Sequence, residues 1–76
     1  MNNTRRKSLE EIRAKMEDLK ADIKMLRDEE QEYYDNIPEA LQGGEKGERA
    51  EEAIDYLESA LESLNDAVSS IQEAVE

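Results

Sequence analysis

The apolar positions of the chain fall into two long stripes. The clearer one occupies residues 53–76, which read in sevens as AIDYLES, ALESLND, AVSSIQE and AVE. With Ile54 as position a, the a sites hold Ile54, Leu61, Val68 and Val75, and the d sites hold Leu57, Leu64 and Ile71. An alanine precedes each a site, at Ala53, Ala60, Ala67 and Ala74. A spacing of three and four kept over three heptads marks a helix packed lengthwise against another helix. The earlier stripe is Leu9, Ile12, Met16, Leu19, Ile23 and Leu26, again at alternating steps of three and four. It fades where the next seam sites fall on Glu30, Tyr33 and Ile37.

Local signals set the boundaries. Ser8 with Glu11 fits a capping box, in which hydroxyl and carboxylate each satisfy a free backbone N–H, and Thr4 is an alternative cap one turn earlier. Pro38 cannot continue a helix and pushes Ile37 toward an extended conformation. The stretch from Pro38 to Gln42 suits one short helical turn, and Gly43, Gly44 and Gly47 read as a flexible break. Glu48, Glu51 and Glu52 then stand at the positive end of the second helix dipole. The expected single domain is a helix over residues 8–34, a loop over 35–47 and a helix over 48–76.

Two helices of similar length joined by a short loop predict an all-α, antiparallel hairpin. Pairing residues whose numbers total 80 makes every layer apolar on both sides, with Leu26 by Ile54, Leu19 by Leu61 and Ile12 by Val68. Arg6, Arg13, Lys20 and Arg27 recur every seven residues and would then face Gln72, Asn65, Glu58 and Glu51. Exposed pairs of this kind bias orientation more than they add stability, at about 0.2–1 kcal/mol each. The alanine column has no role in that seam. It widens the apolar stripe toward a second neighbour, so Ala53, Ala60, Ala67 and Ala74 are the expected self-association residues, with a dimer of hairpins forming a four-helix bundle.

Composition supports assembly. A chain of 76 residues with no cysteine and no histidine has neither disulfides nor thiolate or imidazole zinc sites, which leaves association as the route to stability. Net charge is −11, unevenly spread. Residues 1–28 carry eight Lys/Arg and six Asp/Glu, a net of +2, and residues 29–76 carry two and fifteen, a net of −13. Such a surface is a poor partner for nucleic acid or an anionic membrane, because phosphate binding needs clustered cations. No apolar run reaches the length of a membrane span or a signal h-region, so a cytoplasmic protein is expected.

No catalytic constellation is found, and an enzyme is not expected. Asp28 to Glu39 places acids where a calcium loop would, but Tyr33 stands at the obligatory glycine and Asp35 at the apolar position. Carboxylate-bridged di-iron bundles need histidines that this chain lacks. The three glycines are followed by no Gly-Lys-Ser/Thr. No cofactor and no metal are expected. The basic foot Arg5-Arg6-Lys7 lies, in the hairpin, beside Glu73 and Glu76.

The stretch from Asn36 to Ala50, NIPEALQGGEKGERA, running into Ala53–Ala60, resembles small acidic helical proteins encoded by phages and mobile elements of Gram-positive bacteria. The resemblance covers about half the chain, and its loop portion is the specific part. That family has no established activity, so the resemblance implies an origin and no functional residue. Beside it stands the reading from the residues: a self-associating protein that works through protein contacts, as an inhibitor or adaptor whose acids Glu51, Glu52, Asp55, Glu58, Glu62 and Asp66 meet a basic site on a host protein. The alternatives are a bundle that holds a small ligand and a structural oligomer whose acidity serves solubility.

Overall fold

The structure, a computed structural model, describes residues 1–76. Two α-helices, α1 (Asn3–Asp35) and α2 (Glu45–Val75), flank one 3-10 turn at Glu39–Leu41. They run antiparallel in a rod of 58 × 15 × 13 Å. The all-α hairpin is therefore as expected, with both helices longer at their N-termini. Neither Ser8 nor Thr4 caps α1. Asn2 does, its Oδ1 accepting from the Arg5 N–H at 2.8 Å. Asparagine is among the best N-caps, and nothing between Asn2 and Ser8 interrupts a helix, so α1 starts at the first cap it meets.

The tip is a packed cap and not a flexible break. Gln42 turns back beneath α1, its Nε2 donating to the carbonyls of Ile37 at 3.2 Å and Tyr34 at 3.4 Å. The Glu48 N–H donates to the Gly44 carbonyl at 2.9 Å and opens α2. Gly47 lies in the first turn of α2 and is buried against the Gln42 backbone; a Cβ there would sit 1.8 Å from the Gln42 carbonyl oxygen. The glycine is required by close approach and not by its dihedrals, since no residue has positive φ.

This cap moves the register. The first turn of α2 packs over the loop, so α2 is displaced along α1 from the pairing that the apolar pattern suggests. Lys20 Nζ donates to Asn65 Oδ1 at 2.6 Å, and the Tyr34 hydroxyl donates to a Glu51 carboxylate oxygen. Both pairs total 85. The expected neighbours of Lys20 and Arg27, Glu58 and Glu51, are thus displaced by one heptad. All four ion pairs lie within a helix, among them Arg13–Glu10 at 3.9 Å, Lys20–Glu17 at 3.1 Å and Arg27–Asp28 at 2.9 Å. Arg6 Nε reaches the Val75 carbonyl at 2.8 Å and closes the open end.

The core is thin and lies on α2. Ala50, Ile54, Val68 and Val75 are its buried apolar residues, and no residue of α1 is buried. On α1 the half-buried positions are Leu9, Met16, Ile23 and Glu30, with a second column at Arg6, Arg13, Lys20, Arg27 and Tyr34, and Glu17 between them. The other half of the predicted seam faces outward: Ile12, Leu19, Leu26 and Tyr33 are 45%, 56%, 53% and 47% exposed. Residues three apart lie about 60° round a helix from one another, so a single slender partner can cover one column of a 3-4 stripe and leave the other bare. The pairing of Leu26, Leu19 and Ile12 with Ile54, Leu61 and Val68 is accordingly replaced.

Candidate functional site

The hairpin has two unlike long faces. On the first, the α1 column Arg13, Lys20, Arg27 and Tyr34 runs beside the α2 column Glu51, Glu58 and Asn65. Shallow depressions between the helices are lined here by Gln31, Tyr34, Glu51, Ile54, Asp55 and Glu58, and further along by Lys20, Lys24, Arg27, Leu61 and Asn65. The hydrogen bond to Glu51 holds the Tyr34 phenol above the ordinary tyrosine value, and desolvation and the charges of Glu51 and Asp35 act in the same direction. A phenol so placed is a neutral donor, not a base.

The second face is apolar. Ile12, Leu19, Leu26 and Tyr33 stand at seven-residue intervals along α1. In antiparallel helices, flanking columns on the same side of both seams face one another. The side of α1 that carries this column therefore adjoins the side of α2 that carries Leu57, Leu64 and Ile71 with Ala53, Ala60, Ala67 and Ala74. Near the tip Tyr33 and Ala53 line one depression, together with Glu30, Lys46, Arg49 and Ala50, which places the two columns side by side at that level. Ala53, Ala60 and Ala67 are half-buried, and Ala74 is exposed. The four alanines thus share a surface with four large residues of α1 whose place in it was not foreseen. Their signal was available: every second member of the first stripe recurs at intervals of seven.

The six acids Glu51, Glu52, Asp55, Glu58, Glu62 and Asp66 are all exposed. Glu51, Asp55 and Glu58 border the depression beside α1, and Glu51 is engaged by Tyr34; Glu52, Glu62 and Asp66 turn farther out. At 100° per residue Glu51, Asp55, Glu58 and Glu62 lie on the side of α2 away from the alanine column, and Glu52 and Asp66 lie about a quarter-turn from it. No group of three or more Asp, Glu, His or Cys is assembled in a way that could hold a metal ion. Asp28–Asp35, which would begin a calcium loop, is continuous helix.

The largest concavity is at the tip, an open cleft of about 620 Å³ lined by Tyr33, Asn36, Ile37, Pro38, Leu41, Gly44, Glu45 and Lys46. Leu41 is 63% exposed beside it. No helix is long and apolar enough to cross a membrane. Compared with protein-family models, curated proteins and solved structures, the chain matches none of them.

Proposed function

We propose that the protein is a non-enzymatic interaction module that pairs with a second copy of itself through its apolar face, forming a four-helix bundle. The observation that carries this reading is the row of four large apolar side chains, Ile12, Leu19, Leu26 and Tyr33, left about half exposed along the whole of α1 beside the alanine column of α2. A contiguous apolar surface on a small water-exposed chain is the usual mark of an association site. A thin core points the same way, since a two-helix chain buries too little on its own. Sedimentation at micromolar concentration should give a mass well above the 8.7 kDa of one chain. A stable monomer would end the proposal.

Association through the apolar face leaves the acidic side of α2 outward. The partner that fits it is a basic site on another protein, in line with a phage or mobile-element inhibitor or adaptor. Such binding should weaken steeply with salt, as ion-pair-driven association does. Replacing Glu52, Asp55, Glu62 and Asp66 with their amides should abolish capture of that partner while helix content and oligomeric mass stay unchanged. Retained capture at equal affinity would show that the acids serve only solubility.

A second reading has one observation in its favour, the apolar tip cleft around Tyr33, Ile37, Pro38 and Leu41. In that case native mass spectrometry of the same sedimented sample would show a small molecule in constant ratio to the chain.

A further inference from the structure

We infer that the second copy lies antiparallel, with the tip of each hairpin against the open end of its partner. The inference rests on the self-association reading and adds its geometry. Charge along the rod favours this orientation. The Lys20–Asn65 pair fixes the level of the two helices, so residues 22–63 make up the tip half, and residues 1–21 with 64–76 the open half. The tip half carries four Lys/Arg and fourteen Asp/Glu, a net of −10, and the open half six and seven, a net of −1. Pairing the hairpins tip to tip sets two −10 halves side by side, across a distance comparable with the screening length of about 8 Å at physiological salt. The antiparallel arrangement sets each −10 half against a −1 half. Lys15, beside the apolar column at the open end of α1, then comes to the level of the acidic run Asp28–Glu30 of a second copy.

Symmetry permits this arrangement. A two-fold axis across the rod must map each apolar column onto itself. The α1 column runs from Ile12 to Tyr33, with its midpoint between residues 22 and 23. The α2 column runs from Ala53 to Ala74, with its midpoint between 63 and 64, and the Lys20–Asn65 register places that level beside residues 21 and 22 of α1. The two midpoints agree to about one residue, so one axis serves both columns. It stacks Leu19 on Leu26 and Ile12 on Tyr33 of the second copy, and brings the two alanine columns together, where small side chains allow close approach.

The chain has no cysteine, so a single label reports one site. Gly43 is at the tip, and a Cβ there meets nothing within 4 Å, which makes Gly43→Cys a benign attachment point for a nitroxide. Sedimentation of the labelled protein gives the mass, and pulsed electron–electron resonance gives the distance between labels. Antiparallel pairing predicts a dimer with labels roughly 50 Å apart, from helices of 33 and 31 residues rising 1.5 Å per residue. A dimer with labels within about 25 Å, a little over two helix diameters, overturns the orientation and leaves self-association standing. A monomeric mass overturns both.

Discussion

Replacing Leu19 and Leu26 together with glutamate should turn the assembly into folded monomers. Both side chains lie on the exposed column of α1, 56% and 53% accessible within a single hairpin, so their loss removes little from the intramolecular core. Complete burial of a leucine contributes about 1.5–3 kcal/mol, and the half left open here leaves about 1 kcal/mol per side chain for the partner to gain. Four such side chains meet in a two-fold dimer. Glutamate in their place adds the cost of burying unpaired carboxylates in an already acidic molecule, an effective penalty of several kcal/mol per charge after relaxation. The dimer dissociation constant should rise at least about 100-fold, at 1.4 kcal/mol per tenfold. Ser59→Glu, on the outward side of α2, is the control and should leave the mass unchanged. Circular dichroism decides between two accounts of Leu19. Retained helix with monomeric mass places it on the association face. Collapse of the helical signal at all concentrations would instead make it part of the hairpin core, opposite Leu61.

The 3-4 periodicity is a property of each helix alone, so both helices, their antiparallel pairing and the side of α1 that carries Arg13, Lys20 and Arg27 could be read directly. Which column of the stripe turns inward depends on how two such stripes meet. That was hidden, because Leu9, Met16 and Ile23 are no more apolar than Ile12, Leu19 and Leu26. Register was hidden for a related reason. Sliding a heptad repeat by half a heptad or a whole one again sets apolar against apolar, so the core is nearly degenerate and the loop decides. The alanine column was legible as unneeded by the first seam, but its large counterpart on α1 was not, having been assigned to the core.

The decisive element is Gly47, and Gly47→Ala should be the most damaging single substitution at the tip. In an ordinary helix this exchange stabilises by about 1 kcal/mol, because glycine loses more backbone freedom on folding. Here the new Cβ would stand 1.8 Å from the Gln42 carbonyl oxygen, 2.5 Å from its carbon and 2.9 Å from its Cα. Every one of those atoms is backbone, so no side chain can swing away to relieve the contact. The 3-10 turn at Glu39–Leu41 would have to lift from α2, taking with it the bonds from Gln42 to the carbonyls of Ile37 and Tyr34 that close the end of α1. Overpacking of this kind typically costs about 1–3 kcal/mol, which outweighs the gain in helix propensity. For a chain of this size each kcal/mol lowers the melting temperature by about 4–8 °C, so a fall on the order of 5–20 °C is expected. Gly43→Ala is the matched control, since its Cβ meets nothing within 4 Å, and it should leave the melting temperature nearly unchanged. If Gly47→Ala melts at the same temperature or higher, the loop does not pack against the first turn of α2. The one-heptad displacement of the neighbours of Lys20 and Arg27 would then lose its cause, and the pairing of Leu19 with Leu61 would again be the better register.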